Sequence, residues 1–144
     1  MTSPLEPGDS PGFLLWRVAL SWQRLMKQTL SPMGLTHVQF VLLASAWWLG
    51  TTGRQPPTQR ELADHAGTDQ MMTSQVLRSL ERSSLIERRT DPDDARVRRV
   101  SVTGTGATLA EKAVRIVEGA DSEFFSGALD VQLLDALCLL SQGT

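Results

Sequence analysis

Apolar residues along this chain recur with two different periods, and the change of period divides it into elements. From Phe13 to Leu30 the positions Leu14, Leu15, Val18, Trp22, Leu25 and Met26 come at three- and four-residue steps, the spacing of one helical face. Ser31, Pro32 and Gly34 stop that helix. Thr36 is placed to cap a second one over HVQFVLLASAWWLG, which is apolar nearly all round and is therefore predicted to be buried at the centre of the core. Gly50, Gly53, Pro56 and Pro57 close it off.

Thr58 and Glu61 have the spacing of a capping box for a short helix with Leu62, Ala63 and Ala66 inward, and Gly67 stands where a left-handed residue would end it. Thr68 or Asp69 can cap the next helix, Met71 to about Ser83, whose inward stripe is Thr73, Val76, Leu77 and Leu80. Two helices across a short Gly-containing turn are a helix-turn-helix. The period then shifts to strand-like alternation at Leu85 to Arg89 and Val97 to Val102, around the turn formers TDPDDAR, which predicts a hairpin, the wing. From about Thr105 it is helical again, with Leu109, Ala113, Ile116, Val117, Ala120 and Phe124 on one face, and Val131 to Leu140 reads as a last helix. The fold class is thus mostly α with a small β-wing. Surplus apolar surface at both ends of the fold predicts an obligate dimer.

Charge sharpens this picture. The net charge is −2, yet 7 of the 14 Lys and Arg residues fall in residues 78–99, all of them Arg, while the C-terminal third is acidic. One face for phosphates and another for a second copy accounts for that division. The apolar run Val38 to Leu49 is 12 residues long and contains Gln39 and Ser45, short of the roughly 20 needed to cross a bilayer. The start MTSPLEPGDSPG lacks the basic residues of a secretory signal, and the single Cys138 permits no intrachain disulfide, so a cytoplasmic protein is expected.

In a helix-turn-helix the second helix enters the major groove. Its outward positions here are Gln70, Met71, Ser74, Gln75 and Arg78. Gln75 can bond adenine bidentately, Ser74 can reach a base or a phosphate, and Met71 or Met72 can touch a thymine methyl; the alternative is a solvated face with methionines filling core gaps. At the wing, Arg96 is placed to enter the minor groove, with Asp94 holding either Arg96 or an arginine on the adjoining strand in a fixed fork. Arg88, Arg89, Arg98 and Arg99 flank the tip for phosphate contacts.

The pieces GLTHVQFVLL, TQRELADHAG, MMTSQVLRSLERSSLIERR and DPDDARVRRVSVTGTG, in this order, resemble the MarR family of transcriptional regulators over roughly residues 13–142. The Asp94-x-Arg96 wing, followed by a strand ending in Thr and then Gly106, is the most specific part. The resemblance implies a homodimeric regulator, usually a repressor, that binds a pseudo-palindromic site on double-stranded DNA. Many members release DNA when a small aromatic or anionic molecule, or an oxidant, reaches a pocket between the dimerising and DNA-binding parts. Three prolines and two glycines mark 1–12 as a loose arm, and the resemblance implies a single domain (13–144) after it, with 36–103 as the winged helix-turn-helix and 13–35 and 104–142 as dimerisation helices. One departure is Ser84, where the family usually has Gly before the Leu that opens the wing.

For an effector, Trp16, His37, Phe40 and Trp47 are candidate cavity residues, with core aromatics as the alternative. No cofactor or metal is expected: there is no Gly-rich phosphate loop and no His/Cys cluster at ligand spacing. An enzyme is not expected either, because His37 and His65 are the only near-neutral bases and His65 pairs by spacing with Glu61 as a surface feature. Two rivals remain: a winged helix used for protein contacts, and a redox-responsive regulator acting through Cys138, which otherwise reads as a packed interface thiol.

Overall fold

A computed structural model of the chain describes residues 6–128 and 131–142. Residues 1–5 of the expected arm, and residues 129–130 and 143–144 of the expected domain, lie outside the described residues. The rest of the arm is not loose coil. Pro7–Asp9 form a 3-10 turn, and α1 (Pro11–Leu30) starts two residues earlier than the apolar spacing predicts. The reason is local: the Ser10 hydroxyl accepts a hydrogen bond from Phe13 N at 3.2 Å, and Pro11 fills the first helical position, where a missing N–H costs nothing.

Gly34, at φ 72°, turns the chain after α1, and α2 (His37–Thr52) begins on a complete capping box between Thr36 and Gln39. Leu42, Leu43, Ser45 and Ala46 are buried, and α2 touches α1, α5, β2 and both helix-turn-helix helices, so it is the central strut. The prediction that it is enclosed on every side needs correction: Trp48 is 56% exposed, on the side of α2 away from Ala46 and Leu49, which pack into the core. The short α3 (Gln59–Ala66) and α4 (Gln70–Arg82) follow, then the antiparallel strands β1 (Ile86–Thr90) and β2 (Arg98–Val102). α5 (Gly104–Phe124) returns along α1 and α2, and α6 (Val131–Ser141) ends the described chain.

One core serves all of these. Met26 and Leu30 of α1, Leu42 and Leu43 of α2, Leu62 of α3, Leu77 and Leu80 of α4, Ile86 and Val100 of the strands, and Ala110 and Ala113 of α5 are almost wholly removed from water. Each large side chain among them contributes roughly 1.5–3 kcal/mol of transfer free energy. The small residues of α5 let that helix approach closely. At Gly106 nothing larger fits, since a Cβ there would stand 2.0 Å from Leu85 O. The Thr103 hydroxyl locks the same corner, accepting from Gly106 N at 3.0 Å to cap α5 and donating to Ser84 O at 2.7 Å.

Ser84 itself adopts φ 61°, the left-handed region that an L side chain resists. The chain needs this turn to bring Leu85 N back to Leu80 O at 3.0 Å and end α4. Ser84→Gly is therefore expected to raise the unfolding free energy by about 1 kcal/mol, read as a shift in urea midpoint at constant slope. An unchanged or lower midpoint would mean that the serine makes a compensating contact.

Candidate nucleic-acid interface

The α3–turn–α4 unit is fixed by side chains that satisfy the helix ends. Thr58 and Glu61 form the capping box of α3, and Gly67 closes it at φ 74°. Asp69 then caps α4, accepting from Met72 N at 2.7 Å. The buried Thr73 hydroxyl donates to Asp69 O at 2.7 Å and lies 2.6 Å from the Thr68 hydroxyl, so the first turn of α4 is held from beneath. With Thr73, Leu77 and Leu80 buried, the opposite stripe faces outward: Gln70, Met71, Gln75 and Arg78 are exposed and Ser74 is half-buried. Met72, left between groove and core by its sequence, is 43% exposed and does not fill a core gap.

The wing is a five-pair ladder in which Arg88 stands opposite Val100, Arg89 opposite Arg99, and Thr90 opposite Arg98. Opposite residues share a face, so the four flanking arginines are divided between two faces. This corrects the expectation that all four serve phosphates alike. Arg88 turns inward, its side chain 8% exposed; its guanidinium donates to Glu81 Oε1 at 3.2 Å and to Gln59 Oε1 at 3.3 Å, and its backbone N donates to Glu81 Oε2. Arg99 is half-buried and also engaged, donating to Asp91 Oδ1 at 2.6 Å and to Pro56 O at 2.7 Å. Arg89 is exposed but pairs with Glu87 on the face away from Arg98. Arg98, on the α4 side, has no ion-pair partner among the described residues, nor has Arg78.

At the tip the aspartates have separate tasks. Asp91 Oδ2 accepts from Asp93 N and Asp94 N at 3.0 Å each and shapes the turn, while its Oδ1 holds Arg99. Asp94 holds Arg96: its Oδ1 accepts from Arg96 N at 3.0 Å and Nε at 3.2 Å, leaving a side chain that is 91% exposed. Asp91 was not singled out in the sequence, although an Asp opening a turn, bonding backbone amides two and three residues on, is a known signal. A groove runs between α4 and the wing. One cavity of about 500 Å³ is lined by Gln59, Ser74, Arg78, Arg88, Arg96 and Arg98, and an adjoining one of about 610 Å³ includes Arg60, Gln70 and again Arg96 and Arg98, with Asp64 as its carboxylate. Positive charge, amide groups and a hydroxyl line one surface, which suits phosphate and base edges.

The four residues proposed for an effector cavity do not come together. Trp16 is 62% exposed on α1. His37 packs edge-on against Trp22 and lies 2.8 Å from Gln23 Oε1 through Nδ1; its pKa is lowered by burial, against the opposing pull of Asp121, which accepts from Trp22 Nε1. Phe40 packs into the core. Trp47 lines a cavity of about 370 Å³ with Gly50, Arg54, Pro56, Val100 and Val102, none of the other three being present. Three of them lie on α2, but His37 and Trp47 are ten residues, about 15 Å, apart along it, and Trp16 of α1 is turned to water. Cys138 is free and exposed on α6.

Comparison with known proteins follows the same lines. A model of the MarR family matches residues 35–97. The chain is 43% identical over 123 residues to the HTH-type transcriptional regulator YdcH of Bacillus subtilis (strain 168), covering 85% of this chain and 83% of that protein. It is 32% identical over 117 residues to an HTH-type transcriptional repressor of Mycobacterium tuberculosis (strain H37Rv), covering 79% of each. Among solved structures, Bordetella bronchiseptica BpsR, whose DNA binding is regulated by 6-hydroxynicotinic acid, superposes with a TM-score of 0.79 at 25% identity, covering 98% of this chain and 96% of that one.

The Asp91 carboxyl is held below its ordinary value of 3.8, first by the hydrogen bond from Arg99 and then by the Asp93 amide. A folded pKa below the unfolded one contributes stability above pH 3.8 that disappears as the pH falls through the folded value. Wing-tip amide signals of Asp93 and Asp94 in NMR should therefore hold from neutral pH to below the ordinary aspartate range. In Asp91→Asn the same signals should already be shifted at neutral pH, and spectra identical to wild type would remove Asp91 from its anchoring role.

Proposed function

The chain belongs to the MarR family and is a DNA-binding transcriptional regulator, not an enzyme; from that premise we propose a homodimeric repressor released from a pseudo-palindromic operator by a small aromatic or anionic molecule. The observation that carries the DNA reading is the groove: the exposed face of α4 stands beside a wing tip whose Arg96 is 91% exposed yet held in place by Asp94. In this reading Gln70, Met71, Ser74 and Gln75 meet base edges in the major groove, Arg96 enters the minor groove, and Arg78 and Arg98 meet phosphates. Arg88 and Arg99 position the wing without being spent on the DNA.

Pairing of two copies is supported by apolar surface that a single copy leaves in water. Phe13, Leu14, Leu15, Trp16, Val18 and Leu20 of α1 and Leu134, Leu137, Leu139 and Leu140 of α6 are all more than two-fifths exposed. A two-fold dimer built on these helices presents two copies of α4 to half-sites about 34–36 Å apart along one face of the duplex. For the effector, the cavity at Trp47 is supported by its position: it touches α2, the Gly53–Pro56 linker, β2 and α5, with Arg54 among its lining for an anionic group. Repression is supported by the mycobacterial relative, and small-molecule release by BpsR. No helix among the described residues is long and apolar enough to cross a membrane, and we place the regulator in the cytoplasm with the chromosome.

A salt titration of binding to the intergenic DNA beside its own gene tests this reading, with a steep log–log fall in affinity expected and no sequence-selective binding at moderate salt overturning it. Arg96→Ala should weaken that binding by about tenfold or more while sedimentation still shows a folded dimer. Gln75→Ala should lose about 1–3 kcal/mol of discrimination at one base position. An even loss across all sequences would make Gln75 a phosphate contact instead.

A further inference from the structure

We propose that Met71 and Met72 form an oxidant-sensitive reading surface, so that conversion of their thioethers to sulfoxides by hypochlorous acid or a related two-electron oxidant releases the protein from DNA. The inference rests on the reading of α4 as the helix that meets base edges. What carries it is a contrast within one chain. Met26 is fully buried and Met33 is half-buried against the core, whereas Met71 is 73% exposed and Met72 43% exposed, side by side in the first turn of α4. Methionine is ordinarily a core residue, so two of them turned outward in the first turn of α4, beside the exposed Gln70 and Gln75, are out of place as packing.

Their backbone is fixed from below by Asp69 and Thr73, so the two side chains project from a rigid base. An unbranched thioether on such a base suits an apolar contact with a thymine methyl. The same exposure leaves both sulfurs open to attack. A sulfur lone pair takes the chlorine of hypochlorous acid and hydroxide leaves; water adds at sulfur, chloride departs and protons are lost. The net change is thioether plus HOCl to sulfoxide plus H⁺ and Cl⁻, sulfur losing two electrons and chlorine gaining them.

The sulfoxide oxygen is a strong acceptor placed where the apolar contact was. A methyl group offers it no donor, and the phosphates on either side present further negative charge, so the oxygen loses its water without replacement. Methionine sulfoxide reductases remove that oxygen, which makes the change reversible. Met26 keeps the core out of the reaction because oxidant does not reach it. Cys138, exposed on α6, and Met33, half-buried after α1, are the other sulfurs within reach among the described residues; both lie off the reading helix, so Cys138 is separated by substitution and Met33, kept in every variant, by comparison.

The full-length protein carrying Cys138→Ser is used to enrich a binding duplex from a randomised pool. It is then treated with hypochlorite until peptide mass spectrometry shows sulfoxide at residues 71 and 72, and its affinity for that duplex is measured by fluorescence anisotropy. The expected result is a fall of about tenfold or more, one lost base contact being worth that much. Treatment with both methionine sulfoxide reductases should restore it. In the Met71→Leu/Met72→Leu variant, whatever its own starting affinity, the ratio after to before treatment should stay near one. Undiminished binding by protein with both sulfoxides, or an equal loss in the leucine variant, overturns the proposal. Enrichment of no sequence by untreated protein overturns the reading of α4 itself, and the proposal with it.

Discussion

The inward turn of Arg88 is the contact on which the rest of the interface depends. A two-stranded hairpin is marginal by itself in water, so a wing has a defined position only through what it is tied to. Arg88 ties β1 to Gln59 of α3 and Glu81 of α4 at once. On the other face Arg99 reaches Pro56 O, and Val100 N donates to Pro57 O at 2.8 Å, tying β2 to the segment that leads into α3. These ties enter both helix-turn-helix helices and the linker before them, so the groove between α4 and the wing has a width set by covalent geometry and hydrogen bonds. The desolvation of Arg88 is met by a carboxylate and an amide, although its Nε is buried without a partner among the described residues.

This division of labour also resolves how a protein of net charge −2 suits a polyanion. The acidic residues among the arginines of 78–99 are not scattered repulsion. Glu81 and Asp91 are consumed by the arginines that fasten the wing, and Asp94 by the one that extends from it. Among the described residues that line the groove, Arg60, Arg78 and Arg98 have no ion-pair partner, against the single carboxylate of Asp64, so the local charge there is positive whatever the whole chain carries.

Helix ends were legible in the sequence because their signals are local. Thr58 with Glu61, and Gly67, need only neighbours three or four residues away and occupy the expected positions; of Thr68 and Asp69, equally able to cap by sequence, the structure uses Asp69, and Ser84, visible only as a departure from the family's usual Gly, keeps the left-handed turn. The strands were placed to within a residue for the same reason. The roles of the arginines were not legible, because Arg88 and Arg89, or Arg98 and Arg99, are equivalent until the register assigns them to opposite faces. Register depends on a turn shaped by Asp91, and on which face meets α3 and α4, both facts of tertiary structure. The aromatic set around His37 does not converge for a related reason: residue type marks candidates, while the ten-residue spacing of His37 and Trp47 along α2 and the exposure of Trp16 keep them apart.

The corner where Thr103 bonds Ser84 O and Gly106 rests on Leu85 O has a mechanical meaning. It welds the root of the wing to the first turn of α5, with no soft side chain between two backbones. α5 is 21 residues long, an arm of roughly 31 Å. Pivoted at its far end, such an arm sweeps its near end by about half an ångström for each degree of tilt. The corner has the geometry of a gear tooth: one degree of tilt in such an arm corresponds, at the wing, to a displacement comparable to the tolerance of a hydrogen bond.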